Sequence, residues 1–211
     1  MVGDMMKHIL LLGATGTFGT ALTQRLIQEK KYKLTLFSRH ATDIYKNSEN
    51  INVIDGDALS ENDLSKAIQG VNIVYCAISG DVLPEIAKKL ISVMTDNMVS
   101  RLIFMGAVGI YNEIPDEIDG EDNLDNEPAQ IPNREAVDII ENSSLNYTIL
   151  RPGYLREGAE NDFVLTVKGE PAKGYITSIP SLVNFAIQLI QDDTMYSRES
   201  VSITKNAKEE V

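Results

Sequence analysis

Hydrophobic residues in this chain fall into short runs separated by polar, glycine-containing turns, and the runs alternate between two periods. Lys7 to Leu12 reads as a first strand whose residues Ile9 to Leu12 are apolar at successive positions, as expected of a strand covered on both faces at the centre of a parallel sheet. After Gly13-Ala14-Thr15-Gly16, the segment Thr17 to Gln28 places Phe18, Leu22 and Leu26 four residues apart and predicts a helix. Lys33 to Phe37 and Ile51 to Asp55 predict a second and a third strand. Ser60 and Asp63 fit a capping box, with Asp63 in the reciprocal role, before a helix that carries Leu64, Ala67 and Ile68 to about Gln69. Gly70 is a natural stop. Val71 to Ala77 reads as a fourth strand, Pro84 to Asp96 as a helix and Arg101 to Met105 as a fifth strand. A helix over Asn133 to Asn142, a turn at Ser143-Ser144 and a sixth strand over Tyr147 to Leu150 follow. The pattern is then loose as far as Gly174. A helix over Ser181 to Ile190, opened by Pro180, and a β-branched run from Val201 to Thr204, a seventh strand, complete it.

This alternation predicts a Rossmann-type, doubly wound α/β fold: a mostly parallel sheet of six to seven strands with helices on both faces. A single domain over residues 1–211 is expected, with 151–211 contributing a small substrate-side cap. With 43% hydrophobic residues the chain can bury one substantial core. No apolar run approaches the ~20 residues that cross a bilayer, and the short start, Met1 to Lys7, is expected to lack a secretory apolar region and a cleavage motif. A cytoplasmic protein without a membrane partner is expected. Cys76, the lone cysteine, sits inside the fourth strand and reads as a buried structural residue. The formal charge of −12 is concentrated: eight of the 31 acidic residues lie between Glu113 and Glu127, where no basic residue occurs. That balance argues against nucleic-acid binding, which needs cations to neutralise phosphates. The segment itself reads as a solvated, mobile loop over the crevice or as a surface for a protein partner. His8 and His40 are the only histidines, so a metal site or a histidine-based triad has little to build on.

The strongest chemical signal is Gly13-Ala14-Thr15-Gly16-Thr17-Phe18-Gly19, set between an apolar strand and an amphipathic helix. In that context Gly13 allows the tight turn, Gly16 lets backbone approach a pyrophosphate, and Gly19 lets the helix pack on the strand. The free N–H groups of the first helical turn would hold the phosphates of a dinucleotide, with Thr15, Thr17 and Phe18 in the same loop. At the end of the second strand an NAD site usually places an acid for the ribose hydroxyls. Here Leu36-Phe37 is followed by Ser38-Arg39-His40, and Arg39 with Ser38 would instead hold a 2′-phosphate, so the expected cofactor is NADP(H). Asp57 and Ala58 after the third strand would meet the adenine. Ala77, Ile78 and Ser79 after the fourth would lie against the ribose.

These residues, together with Tyr147-Thr148-Ile149-Leu150-Arg151-Pro152-Gly153, resemble the short-chain dehydrogenase/reductase superfamily. More narrowly they resemble its atypical NAD(P)-binding branch of NmrA-like regulators and biliverdin-IXβ/flavin reductases. The resemblance implies that Pro152, Gly153 and Tyr154 line the pocket beside the nicotinamide and that Arg39 takes the 2′-phosphate. The departures are as informative. Where catalytic members carry a serine after the fifth strand, this chain has Ala107, and their Tyr-x-x-x-Lys positions fall near Ala129 and Asn133. Tyr111 is close to the fifth strand but has no lysine at the required spacing, so no catalytic residue is assigned. Two readings follow: an NADPH-dependent reductase of a flavin, quinone or similar small conjugated acceptor, or a noncatalytic NADP(H)-binding redox sensor with a regulatory protein partner. Either is compatible with a monomer or a homodimer.

Overall fold

The computed structural model describes residues 6–209. Eight strands form one central sheet. In chain order its members are β1 (Lys7–Leu12), β2 (Tyr32–Ser38), β3 (Ile51–Asp55), β4 (Ile73–Cys76), β5 (Arg101–Met105), β6 (Asn146–Pro152), β8 (Val164–Val167) and β10 (Glu199–Thr204). Their spatial order is β3-β2-β1-β4-β5-β6-β10-β8, parallel throughout except that β8 runs antiparallel to β10. Two further strands, β7 (Tyr154–Arg156) and β9 (Ile176–Ser178), pair in a separate parallel ribbon. The sheet is therefore wider, by β8, than the six to seven strands expected; β7, β8 and β9 all lie in and just beyond the stretch without clear periodicity. Strands of three or four residues leave too few alternations to reveal a period of two.

The helices are α1 (Thr17–Glu29), α2 (Glu61–Ala67), α3 (Leu83–Asp96), α4 (Asp116–Asp119), α5 (Ile131–Glu141) and α6 (Ile179–Gln191). Their placement explains the unbroken apolar run of β1. Ile9 and Leu11 enter one core with Leu22 and Leu26 of α1 and Leu182 and Ala186 of α6. Leu10 and Leu12 enter the other with Leu64 of α2, Leu90 of α3 and Val137 of α5. Each such aliphatic side chain, removed fully from water, contributes roughly 1.5–3 kcal/mol before entropy is set against it. Of residues 151–211, β10, β8 and α6 extend the central layers, while β7 and β9 stand beyond the end of β6.

Local details follow sequence chemistry with small shifts. Ser60 caps α2 by accepting from the Asp63 N–H at 3.2 Å. The reciprocal half of the box does not form: Asp63 Oδ2 accepts from the Asp57 N–H at 3.3 Å instead, which ties the β3–α2 turn together. Pro132 lies in the first turn of α5, so that helix opens at Ile131 rather than Asn133. The acidic stretch is not a bare loop. It contains α4 and a short three-ten turn, and buried Asn123 exchanges two hydrogen bonds with the backbone of Ile114 at 3.0 and 2.8 Å. Cys76 is fully buried, and burial pushes its thiol up to about 12, so it is inert at neutral pH. Among the described residues, no helix is long and apolar enough to cross a membrane.

Candidate functional site

The turn after β1 is shaped by contacts within the protein. Gly13 has φ +82°, and both its N–H and that of Ala14 donate to the Phe37 carbonyl at 3.0 and 3.3 Å. A Cβ at Gly13 would sit 2.9 Å from the Ala77 carbonyl oxygen. A Cβ at Gly19 would overlap the Gly13 carbonyl, so Gly19 is a packing glycine. Gly16 differs from both. Its φ is −70°, and an added Cβ would meet only the Gly13 carbonyl, at an ordinary 3.5 Å. Nothing inside the protein demands a glycine there, and Gly16 faces the cleft. As N-cap of α1 it supplies no side chain to the helix's opening N–H groups, and the first turn holds no acid. That leaves a cradle of backbone donors at the positive end of the helix dipole, suited to a pyrophosphate.

A cleft of about 570 Å³ opens beside this turn, along the C-terminal ends of β1 to β4. Gly13, Thr15 and Gly16 line it, with Ser38 and Arg39 from the end of β2, Asp57 and Ala58 after β3, and Ala77, Ile78 and Ser79 after β4. Other expected positions lie elsewhere. Thr17 is exposed at the first position of α1 without lining the cleft, and Phe18 is buried against Tyr75 with ring centroids 5.6 Å apart. Pro152, Gly153 and Tyr154 stand past the end of β6, outside the cleft lining. The lining also includes His40, the neighbour of Arg39, and five residues not anticipated: Phe37, Gly56, Leu59, Val82 and Ile86. Ile78, Val82 and Ile86 recur every four residues into α3, a signal present in the sequence.

The charges at the β2–β3 edge are sorted by their partners. Asp55 is held: Thr42 donates to it through its backbone N–H at 2.9 Å and its hydroxyl at 2.5 Å. Those hydrogen bonds hold its carboxyl below the usual range. Asp57 accepts from the Leu59 N–H at 2.9 Å through one oxygen. Ser38 Oγ accepts from the Thr15 hydroxyl at 3.1 Å. Arg39 is exposed and has neither hydrogen bond nor ion pair among the described residues, so its five donors are available to a ligand oxyanion.

Past the C-terminal end of β5, the three positions that the resemblance singles out for proton transfer hold Ala107, Ala129 and Asn133. Ala107 follows β5, Ala129 lies in a three-ten turn, and the Asn133 amide donates to Gln130 at 3.3 Å. Tyr111 is engaged elsewhere. Its hydroxyl donates to Glu141 Oε1 at 2.7 Å and lies 3.1 Å from Ser200 Oγ. Arg134, Arg151 and Lys168 all stand within 4.9 Å of its ring centre. Burial pushes its phenol up, away from proton exchange near neutral pH, and it edges a separate pocket of about 390 Å³. Among the described residues no three His, Cys, Asp or Glu side chains converge on a metal position.

The fold and this cleft place the chain in a known class. The model of a family described as NAD(P)H-binding matches residues 13–193, and the chain belongs to that family. A Rossmann-fold NAD(P)-binding family protein from Shigella flexneri is 33% identical, with 96% of this chain and 95% of that one covered and a TM-score of 0.82. Two more distant structures share the fold. One is a wide-type short-chain dehydrogenase/reductase from Veillonella parvula in complex with NADP (22% identity, 95% of each chain, TM-score 0.86). The other is ChuY, an anaerobillin reductase from Escherichia coli O157:H7 (20% identity, 94% of this chain and 97% of that one, TM-score 0.78). No curated protein matches the sequence.

Proposed function

We propose that the protein is an NADPH-dependent reductase of a small conjugated acceptor such as a flavin or a quinone. The observation that carries the choice of cofactor is Arg39, unpaired at the rim of the cleft where a carboxylate would otherwise meet the ribose. A guanidinium there favours a 2′-phosphate through charge-assisted, bidentate hydrogen bonds. The amides around Gly16 would hold the pyrophosphate, and the apolar wall of Ile78, Val82 and Ile86 would face the adenine. Bound NADPH supplies a hydride from the nicotinamide C4.

The acceptor class follows from what the chain leaves out. Ala107, Ala129 and Asn133 stand in place of a hydroxyl, a phenol and an ammonium, so the groups that protonate a carbonyl in catalytic members of the superfamily are absent from those positions. Tyr111 is bound to Glu141 and does not replace them. A conjugated ring needs less help: it accepts the hydride at one atom, delocalises the charge and takes its proton from water. The protein's part is then binding, orientation and shielding. The ChuY likeness supports a reductase of this kind. The test is oxidation of NADPH, followed by its near-ultraviolet absorbance, with a panel of flavins and quinones. Turnover on at least one acceptor is expected. Tight NADPH binding without turnover on any would overturn the enzyme reading in favour of a noncatalytic NADP(H)-binding regulator.

A further inference from the structure

The chain has seven arginines, and five of them are committed within the fold. Arg25 pairs with Glu29 and Glu160, Arg134 with Asp138, and Arg151 with Glu113. Arg101 donates to Thr148 at 2.8 Å, and Arg198 to the carbonyls of Ser143 and Leu145 at 3.1 and 2.9 Å. Two remain without a hydrogen bond or ion pair among the described residues: Arg39 at the cleft rim, and Arg156. Arg156 is exposed, and its guanidinium carbon lies 4.4 Å from the ring centre of Tyr154, itself 52% exposed. The neighbouring Glu157 forms no ion pair with it.

This pair stands on a fixed platform. Tyr154 and Arg156 are alternate residues of β7 and share a face, while Leu155 between them packs into the core that contains α1 and α6. Tyr154 donates its N–H to the Tyr175 carbonyl at 2.7 Å, and Gly153 donates to Thr177 Oγ1 at 2.8 Å. A Cβ at Gly153 would overlap the Tyr175 carbonyl, so the approach of the two strands requires the glycine.

The platform's position gives it meaning. Under the proposed cofactor reading, the cleft would hold one half of the dinucleotide beside β2 and β3, with the pyrophosphate at the turn after β1. The other half must therefore extend the opposite way, over β4, β5 and β6, and β7 begins just past the end of β6. Arg39 follows β2, and Arg156 lies on β7 past the end of β6; β2 and β6 are four strand spacings apart, roughly 19 Å. We infer that Tyr154 and Arg156 form the acceptor's recognition site, and that Arg156 selects acceptors carrying an oxyanion, a phosphate or a carboxylate, beside their planar ring. The tyrosine ring and the flat guanidinium offer stacking surface, and the guanidinium's unpaired donors take the anion. The inference rests on the reductase reading only in assigning the bound molecule the role of acceptor.

The test compares three flavins that share one ring: riboflavin, FMN, and a flavin whose side chain ends in a carboxylate. Their affinities for the NADP⁺-loaded protein are read from quenching of flavin fluorescence, in the wild type, Arg156→Gln and Arg156→Lys. The expected result is an anionic flavin bound at least about tenfold more tightly than riboflavin by the wild type, a ratio near one in Arg156→Gln, and an intermediate ratio in Arg156→Lys. Because the ratio is taken within each variant, a modest loss of stability does not imitate it. Preference for FMN alone, or for the carboxylate alone, identifies which oxyanion is read. No discrimination by the wild type, a ratio unchanged in Arg156→Gln, or no flavin binding overturns the assignment. Turnover of NADPH in the same samples is scored separately. Discrimination without turnover keeps Arg156 and removes the reductase reading, and turnover without discrimination does the reverse.

Discussion

Two regions at the C-terminal edge of the sheet use the same kinds of residue to opposite ends. On the β5–β6–β10 side, Arg151, Glu113, Tyr111, Glu141, Lys168 and Ser200 are bonded to one another, and of these groups Arg151 Nη2 is left buried without a partner. On the β1–β2–β3 side, Arg39 and Gly16, the N-cap of α1, line a cleft; among the described residues the guanidinium has no hydrogen bond or ion pair, and no N-cap side chain serves the helix start. A tyrosine surrounded by cations next to a pocket resembles a catalytic device when residue types alone are considered. Partner accounting separates the two cases: donors already paired hold the fold, and donors left unpaired at a concave surface are there for a ligand.

The comparison is broken most sharply at Glu113. Arg151 is fully buried, and although burial pulls its guanidinium down to about 10, it stays charged at neutral pH. Glu113→Gln leaves that charge without its counter-ion and should lower unfolding stability by about 3–5 kcal/mol in a denaturant titration. Glu113→Leu combined with Arg151→Met should recover most of the loss, because the charge leaves with its partner. A small effect of the single change would mean that the Arg151–Glu113 pair does not hold the fold. Next comes Gly16→Ala. The protein has room for the methyl, so stability should change by less than about 1 kcal/mol. The methyl projects toward the pyrophosphate cradle, so NADPH affinity should fall at least about tenfold by calorimetry. Unchanged affinity would make Gly16 another packing glycine.

Tyr111→Phe ranks third. Losing the hydroxyl from Glu141 and Ser200 should cost about 1–2 kcal/mol of stability, with turnover of any accepted flavin retained. A large fall in kcat with stability unchanged would reverse the assignment. The smallest effect lies at the other end of the strands. His8 is buried between the Gly70 carbonyl and the Thr35 hydroxyl, at 3.0 and 2.9 Å, and burial lowers its pKa. The unfolded chain binds that proton more readily, so stability is fully present above the unfolded value of about 6.5 and declines as pH falls through it. His8→Gln should flatten this part of the pH–stability curve. An unaltered slope would place the acid sensitivity elsewhere.

Much of this was legible in the sequence for reasons that can be named. β1 could be placed because helices cover both its faces, which removes the polar alternation of a half-exposed strand. The glycine turn could be placed because its spacing sits between a strand and a helix. Spacing did not distinguish the roles inside the motif: Gly19 and Phe18 pack, whereas Gly16 lines the cleft, a difference set by distances to Gly13 and Tyr75. The fate of Tyr111 was out of reach, since it depends on Ser200, 89 positions away. The β7–β9 platform was equally hidden. Its register depends on Gly153 meeting Tyr175 rather than on any periodic pattern.

Titration of the wild type with NADPH and with NADH, repeated on Arg39→Ala, tests the assignment of the cleft most directly. The structure predicts heat from NADPH at an affinity at least about tenfold above that for NADH, and a preference that disappears in Arg39→Ala through weaker NADPH binding. Equal affinities in the wild type, an equal loss for both nucleotides in the variant, or no heat from either would contradict it.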